Sequence, residues 1–462
     1  MARASLHPCV VAIGLAATLV TGSSLADDRI APLALRATLT APEARDLIRS
    51  RQGFDVCLPN LAVLTAEVAE ALARQKGFYR LSLPAVEVLS PEAAGALAYR
   101  TGDLDLPGVT SLTPDAAAAL APHRGHLSLC GISSLSTDVA AALARHSGHL
   151  SLPGLTELSP DVAAALARQT GHLSLPGIPR VSVATAAAIA GHRGASLTLA
   201  GLTQLPTDVA AAFAAHRGTL ILPRLAELPA DTAAALALHV GPLTIDGVSG
   251  LSVEAAMALS AHTGALTLRG FSVLPPAVAA ALAAHEGTLS LPGLHQLTTE
   301  VATAFALHRG VLCLPSLATL STAVAEALAM HRGGLVLSGL TTLGPEAARA
   351  LAGHAGDIDL YTLAQSATLD SVELATLLTA KIRLLSLPKV LRLDAAESVA
   401  IADALASSAG SVSLPNLKAA SPATVAALLA GGNVAIPPLD AIELLAEPSA
   451  GEPLVQGDVG GD

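Results

Sequence analysis

Histidine is the chemically active residue whose spacing in this chain is most regular. Ten histidines recur at intervals of about 23 residues, each two positions before a glycine: His123, His146, His192, His216, His239, His262, His285, His308, His331 and His354. Imidazole ligates metals and titrates near neutral pH, so the column suggests either a metal ladder or a pH-sensitive surface. The alternative is that partly charged imidazoles in the last helical turn complement the helix dipole and hydrogen-bond terminal carbonyls. No carboxylate recurs beside these histidines, and zinc needs three or four converging ligands, so we predict no metal site.

Smaller polar clusters interrupt the regular pattern. Three histidines stand directly before successive predicted strands, and two Asp-x-Asp pairs place both carboxylates on one strand face. Calcium needs six to eight oxygen ligands, and no further ligands accompany either pair, so we interpret the pairs as solvated acidic edges. Irregular positions carry recognition more often than repeated ones. The candidate partner-binding residues are therefore Asp103, Asp105, His126, His149, His172, Asp357, Asp359 and Tyr361.

Motifs that would indicate catalysis are missing from the sequence. The chain contains no GxSxG, P-loop, HExxH or CxxC pattern, and no GxGxxG follows a predicted strand. Scattered Ser, His and Asp residues do not define a triad, because the repetition places such combinations throughout the chain. We therefore predict a protein that is not an enzyme, with no catalytic residues, no cofactor-binding residues and no cofactor.

A repeat of 23 residues, with the skeleton LxLPGLxxLSPDxAxALAxHxG, positions all of these side chains. Each unit opens with an LxL segment whose alternation predicts a short half-buried strand, and seventeen such strands run from Val56 to Ile436. The Pro-Gly that often follows predicts a type II turn with Gly at positive φ, and Asn60 and Asn416 replace Gly in two units. Self-similarity at this period indicates a solenoid, in which each unit buries its apolar face against its neighbours.

A short helix is predicted in the second half of each unit. Serine or threonine precedes it and predicts an N-cap, and proline often takes the first helical position. Inward-facing leucines such as Leu97 and Leu166 anchor the helix, and the terminal glycine is expected to act as its C-cap. The predicted N-caps are Thr65, Ser90, Thr113, Ser136, Ser159, Ser252, Thr298 and Ser321.

These units resemble the leucine-rich-repeat-like proteins of bacteria, over residues 30–436. The resemblance implies an α/β fold, a leucine-rich-repeat-like solenoid with a parallel sheet on the concave face and short helices on the convex face. It also implies recognition or scaffolding as the role. The chain departs from the family pattern at one position, because Pro-Gly replaces the Asn or Cys that usually follows the strand.

The remaining segments define the predicted domain organisation. Residues 1–26 resemble a signal peptide, with Arg3, an apolar stretch from Cys9 to Val20 and a small-residue cleavage site before Asp27. We predict an N-terminal cap at 27–53, regular repeats at 54–360, irregular terminal repeats at 361–446 and an acidic disordered tail at 447–462. No later segment is long and apolar enough to predict a transmembrane helix.

Composition and the repeated sheet face limit the choice of partners. The formal net charge of −11 disfavours nucleic acid as a partner. We expect an exported protein, periplasmic or extracellular, that acts as a non-enzymatic scaffold and binds a protein partner on the sheet face. The alternative is a structural protein that binds an envelope or cell-wall polymer through the outward Ser/Thr residues of the LxL strands, a row running from Ser82 to Ser413.

Overall fold

A computed structural model describes residues 33–50, 55–74, 79–366, 368–393 and 397–445. The predicted signal peptide and the acidic tail lie outside these residues. The described chain divides into two compact units, residues 1–270 and 271–462. None of its described helices is long and apolar enough to cross a membrane.

The first unit repeats one strand and one helix along the chain, and its parallel strands follow one another in chain order. The strands are β1 Val56–Cys57, β2 Leu81–Ser82, β3 Leu104–Asp105, β4 Leu127–Ser128, β5 His149–Ser151, β6 His172–Ser174, β7 Ser196–Thr198, β8 Thr219–Leu222, β9 Leu243–Ile245 and β10 Leu266–Leu268. The helices are α1 Ala41–Ser50, α2 Ala66–Ala73, α3 Pro91–Ala98, α4 Pro114–Leu120, α5 Thr137–Leu143, α6 Pro160–Leu166, α7 Val183–Ala190, α8 Thr207–Phe213, α9 Ala230–Ala237 and α10 Val253–Ser260. Register is in step with the repeat, because Leu150 pairs with Leu127 on one side and with Leu173 on the other.

The second unit continues this pattern and then changes it. Strands β11 Leu289–Ser290, β12 Leu312–Cys313, β13 Leu335–Val336 and β14 Ile358–Asp359 are parallel and in chain order. Two separate three-stranded parallel sheets follow: β15 Leu384–Ser386, β17 Ser411–Ser413 and β19 Val434–Ala435 form one, and β16 Arg392–Leu393, β18 Ala419–Ala420 and β20 Glu443–Leu444 form the other. The helices are α11 Pro276–Leu282, α12 Thr299–Phe305, α13 Thr322–Ala329, α14 Pro345–Ala352, α15 Tyr361–Ser366, α16 Val372–Lys381, α17 Ser398–Ala406 and α18 Pro422–Ala430. All seventeen predicted strands are present, and β16, β18 and β20 are additional.

The core of each unit lies between its strands and its helices. Both leucines of an LxL strand are buried, as at Leu150 and Leu152, which are 0% exposed. The helix contributes an inward alanine and leucine, such as Ala163 and Leu166, and the residue after the turn, such as Leu155, closes the layer. Successive layers of similar volume fill the interior, which is the packing that a solenoid requires.

Local capping confirms the predicted helix starts. All eight predicted N-cap side chains accept a hydrogen bond from the backbone N–H three residues later; Ser159, for example, accepts from Val162 at 3.3 Å. Proline occupies the first turn after several of these caps, as at Pro160. These residues satisfy amides that the first helical turn leaves free, and this fixes where each helix begins.

The predicted reason for the glycines was wrong. Among the described glycines, Gly432 is the only one with positive φ, so Pro-Gly does not form the predicted type II turn. At Gly108, an added Cβ would lie 2.2 Å from the carbonyl oxygen of Pro84 in the preceding repeat. The terminal glycine is not a C-cap either, because α6 ends at Leu166 with Ala167 as its cap, well before Gly171. Close approach of neighbouring backbones, and not left-handed conformation, requires glycine here.

The asparagines that replace the turn glycine also act differently from prediction. Asn60 Nδ2 donates to the carbonyl of Leu35 at 2.9 Å, and Asn416 Nδ2 donates to that of Pro388 at 2.9 Å. Ser316 occupies the same slot and donates to Pro292 O at 2.7 Å. A side chain at this position is therefore tolerated where it hydrogen-bonds the preceding repeat.

Candidate functional site

The histidine column is an internal structure. Each of its ten imidazoles is at most 2% exposed. Neighbouring rings lie 5.7 to 6.0 Å apart in the first unit and 5.7 to 6.2 Å apart in the second, measured between ring centroids. We call these ten residues the histidine ladder. Because the rings are enclosed, the expectation of partly charged imidazoles at the helix end was wrong.

Hydrogen bonds to glycine carbonyls show how this slot links successive repeats. His354 Nε2 donates to Gly333 O, the terminal glycine of the preceding repeat, at 3.0 Å. Gln169 occupies the slot in one unit, and its Nε2 donates to Gly148 O at 2.8 Å. His239 instead donates from Nδ1 to Gly241 O in its own repeat, at 3.0 Å. In these three repeats the slot supplies a buried donor for a turn carbonyl.

Burial keeps the ladder uncharged at neutral pH. Desolvation, reinforced by adjacent imidazoles, lowers the pKa of His123, His192, His239 and His331 to about 4. Desolvation likewise lowers the pKa of the other ladder residues whose shift is resolved, for example His308. A buried cation is costly, so the rings whose pKa is lowered stay neutral at neutral pH. In the part of the chain that the structure describes, no group of three or more His, Cys, Asp or Glu side chains is arranged to hold a metal ion.

Arg100 occupies the ladder slot in the second strand unit, between α3 and β3. Its side chain is buried, Nη2 donates to the carbonyl of Tyr79, and Nε donates to Asp103 O at 3.4 Å. Burial lowers the pKa of Arg100 to about 10, which leaves it charged at neutral pH. Sequence reasoning missed both Arg100 and Gln169. The signal was present, because each residue stands two positions before a terminal glycine, as the ladder histidines do.

A second histidine cluster lies on the outer face of the sheet, where the sequence predicted it. His126 and His149 stack with ring centroids 4.3 Å apart, and His172 follows at 5.9 Å from His149. His126 and His149 are half-buried, and His172 is exposed. Backbone pairing of His149 with His172 places the two side chains next to each other on the same face of the sheet. The same column carries Thr219 in a later strand, so stacked imidazoles are local to these repeats.

Two carboxylates stand beside this histidine cluster. Asp103 Oδ1 accepts the backbone N–H of His126 at 3.3 Å, so this side chain fixes the start of the next strand. Asp105 accepts Ser82 Oγ at 3.0 Å and Cys130 Sγ at 3.9 Å. Sequence reasoning had not placed Ser82 and Cys130 in this cluster, although Ser82 shares the strand column of Asp105. We call Asp103, Asp105, His126, His149 and His172 the histidine–aspartate face.

Charge on the face depends on its imidazoles. Desolvation lowers the pKa of His126, with Asp103 acting in the opposite direction. Desolvation and the flanking His126 and His172 lower the pKa of His149 to about 4. His172 Nδ1 lies 2.7 Å from Ser196 Oγ, so one side of its ring is engaged with the next strand. At neutral pH the face therefore combines two carboxylates with two uncharged stacked imidazoles and the exposed ring of His172.

The second predicted cluster lies in the second unit. Asp357, Asp359 and Tyr361 are exposed, and Asp359 Oδ1 accepts the backbone N–H of Tyr361 at 3.1 Å, which begins α15. A helix therefore follows β14 directly where other repeats have a turn. These residues adjoin one another, but the structure brings no described ligand set to the two carboxylates.

The outward Ser/Thr row is less accessible than the sequence suggested. Ser128 is 3% exposed, and Ser82 and Ser151 are each 8% exposed. Thr198, Thr244, Thr267 and Ser290 are half-buried, and Ser386 is exposed. Short side chains on strands about 4.8 Å apart are shielded by their neighbours on both sides, so the hydroxyls lie low in the sheet surface.

Comparison with known proteins supplies neighbours of fold only. No protein-family profile matches the sequence, and no curated protein matches it. Among solved structures, a leucine-rich-repeat protein of Leptospira interrogans matches with a TM-score of 0.33 and 14% identity, over 70% of this chain and 94% of that chain. An internalin of Listeria monocytogenes matches with a TM-score of 0.35 and 16% identity, over 72% and 93%. The Drosophila Toll–Spätzle complex matches with a TM-score of 0.39 and 14% identity, over 78% of this chain and 53% of that chain.

The architecture is that of a leucine-rich-repeat-like α/β solenoid. This assignment rests on the parallel strands, on a register that pairs equivalent residues of successive repeats, and on the helix that recurs in the repeats. The curvature of the solenoid, with the sheet on its concave face, stays a prediction.

Proposed function

We propose that this leucine-rich-repeat-like protein is an exported, non-enzymatic scaffold that binds a protein partner through the histidine–aspartate face. The observation that carries the proposal is the row of His126, stacked on His149, and of His172, tilted against His149, along three adjacent repeats beside Asp103 and Asp105. Flat rings and carboxylates on a rigid sheet offer both apolar contact and hydrogen bonds, as protein interfaces do.

Rigidity supports this choice of surface. Strand pairing holds the backbone of Asp105, His149 and His172. Asp103 and His126 precede their strands, but their carbonyls accept from Leu81 N and Leu104 N, and Asp103 Oδ1 accepts the N–H of His126. A preorganised surface loses little conformational entropy on binding, so its contacts contribute more to affinity. Later repeats present Thr219, Pro242 and Ala265 in the same column, which would give a partner much less to recognise.

Site-specific cross-linking tests this proposal. A photo-reactive residue is placed at Ser174 on the face, or at Thr267 as a distant control on the same sheet surface, and each protein is exposed to envelope extract of the source cells. We expect one saturable protein adduct at Ser174 and none at Thr267. The purified partner should then bind the wild-type chain and lose at least tenfold in affinity to His149→Ala and Asp105→Asn.

Controls separate loss of binding from loss of fold. Thr244→Ala, on β9 of the same unit and three strands beyond β6, should bind the partner as wild type does. Equal adducts at both positions, or unchanged affinity of His149→Ala, contradict recognition by this face. Co-sedimentation with insoluble wall polymer, without a protein adduct, would favour the polymer-binding alternative through the Ser/Thr row instead.

A further inference from the structure

The histidine ladder stores ten titratable groups inside the fold. Within each unit adjacent rings lie 5.7 to 6.2 Å apart between centroids, some stacked, as for His308 and His331, and others edge-on, as for His216 and His239, and none is more than 2% exposed. Protonation of one ring places a cation in a desolvated interior, and protonation of its neighbour adds repulsion at that distance. The unfolded chain has neither cost, because its imidazoles are hydrated and far apart.

Few groups face the ladder that could offset this charge. Arg100 lies beside His123, and Lys381 lies beside His354; both add positive charge. Asp357 is the carboxylate that acts on His354. The other titratable groups that face the ladder are surface imidazoles: His149 interacts with His146, and His172 with His192. Backbone hydrogen bonds act in the opposite direction on several rings and raise the pKa of His146 and His216, but desolvation has the larger effect, so the pKa of both rings is lowered. Of the charged neighbours, Arg100 and Lys381 oppose protonation and Asp357 favours it.

The ladder also supports the surface proposed to bind a partner. His123 lies against the backbone of His126, and His146 lies against the backbone of His149. Each buried ring therefore contacts the chain just before a strand, where the imidazoles of the histidine–aspartate face begin. A displacement of a ladder ring would therefore move this surface, because the ladder histidine and the face histidine are three residues apart in each of these two repeats.

We propose that the histidine ladder is an acid-sensitive lock: its uncharged, closely packed rings hold successive repeats together, and protonation of several rings forces those repeats open. Opening dismantles the histidine–aspartate face and releases whatever it holds. The release of a partner rests on the proposed function, whereas the opening of the repeats does not.

The test replaces ladder histidines by glutamine. Gln169 already fills one ladder slot with a side chain that does not titrate and that donates to Gly148 O. The full chain carrying H192Q, H216Q and H239Q is compared with wild type. Circular dichroism follows helix content from pH 7.5 to pH 3, and urea unfolding at pH 7.5 confirms that both proteins are folded. H295Q is the matched control, because His295 is exposed and outside the ladder.

We expect wild type and H295Q to open at the same pH, and the triple variant to open at least half a pH unit lower. A folded triple variant that opens at the wild-type pH overturns the lock. Wild-type protein with isotopically labelled histidine gives a second readout by NMR: ladder rings should stay neutral until the fold is lost. Ladder rings that take up protons while the fold persists overturn the proposal, and this holds even where the triple variant fails to fold. None of these measurements involves a partner, so their failure is separate from failure of the proposed function.

Discussion

Replacement of a terminal glycine by alanine should be among the most damaging single changes to this fold. In Gly171→Ala, the new Cβ would lie 2.0 Å from Gly148 O and 2.4 Å from Ser147 O, whereas Cβ atoms essentially never approach other atoms within 3.0 Å. Both oxygens belong to the backbone of the preceding repeat, so no side-chain rotation removes the clash. The repeats must move apart by about 1 Å, on a strand spacing of about 4.8 Å.

The size of the effect follows from the strand bonds that such a shift would stretch. Leu152 N donates to Ser174 O at 3.0 Å between β5 and β6, and a 1 Å displacement would take this pair beyond hydrogen-bonding distance. Loss of two or three such bonds at about 1 kcal/mol each, with residual strain of about 1–3 kcal/mol, predicts a destabilisation of about 4 kcal/mol. That is a large part of the 5–15 kcal/mol typical of folded domains.

Gly250→Ala is the matched control in the same unit. An added Cβ at Gly250 meets nothing within 4 Å, and its φ is not positive. We expect this variant to be as stable as wild type, or more stable by about 0.4–1 kcal/mol, because alanine restricts the unfolded chain. Urea unfolding followed by circular dichroism compares the three proteins at pH 7.5. A loss below about 1 kcal/mol in Gly171→Ala would refute the argument from backbone contact.

Three further outcomes follow from the same structure. Ser159→Ala removes the cap that accepts from Val162 N, so the free energy of unfolding should fall by about 1 kcal/mol, and an unchanged urea midpoint would contradict this. Phe305→Ala empties a fully buried site in α12 and should cost about 3–5 kcal/mol by the same measurement, whereas a cost below 1 kcal/mol would show that the layer collapses around it. Each ladder histidine with a pKa of about 4, against 6.5 for the free side chain, loses its contribution as pH falls from 6.5 towards 4, because the unfolded chain binds the proton first. Between pH 7 and pH 5 this amounts to about 2 kcal/mol per such residue, measured by urea unfolding across that range, and a flat stability profile would contradict the buried neutral state.

Much of the repeat follows from sequence because its determinants are local. The alternation of LxL identified all seventeen predicted strands, and the Ser/Thr position identified eight helix starts. A cap bonds within three residues and a strand face alternates every two, so neither depends on the rest of the fold. The stacking of His126 on His149 was also predictable, since a fixed period brings equivalent residues to adjacent strands.

The role of the glycines and of Asp103 could not be predicted, because both depend on the distance between neighbouring repeats, and a local sequence pattern does not give that distance. The sequence marked glycine at Gly108 and Gly171 but suggested the wrong cause, because the oxygen atoms that exclude a side chain belong to the preceding repeat. The same holds for Asp103, whose carboxylate accepts the N–H of His126 from the next strand.

Sequence alone therefore determined the strand–helix repeat and the columns in which chemically active residues recur. Tertiary structure decided which column faces solvent and which is enclosed, and with it the charge of the histidine ladder. The physical reason is that a side chain's hydration, and hence its pKa, is set by neighbouring repeats about 23 residues away in the chain and not by its own segment.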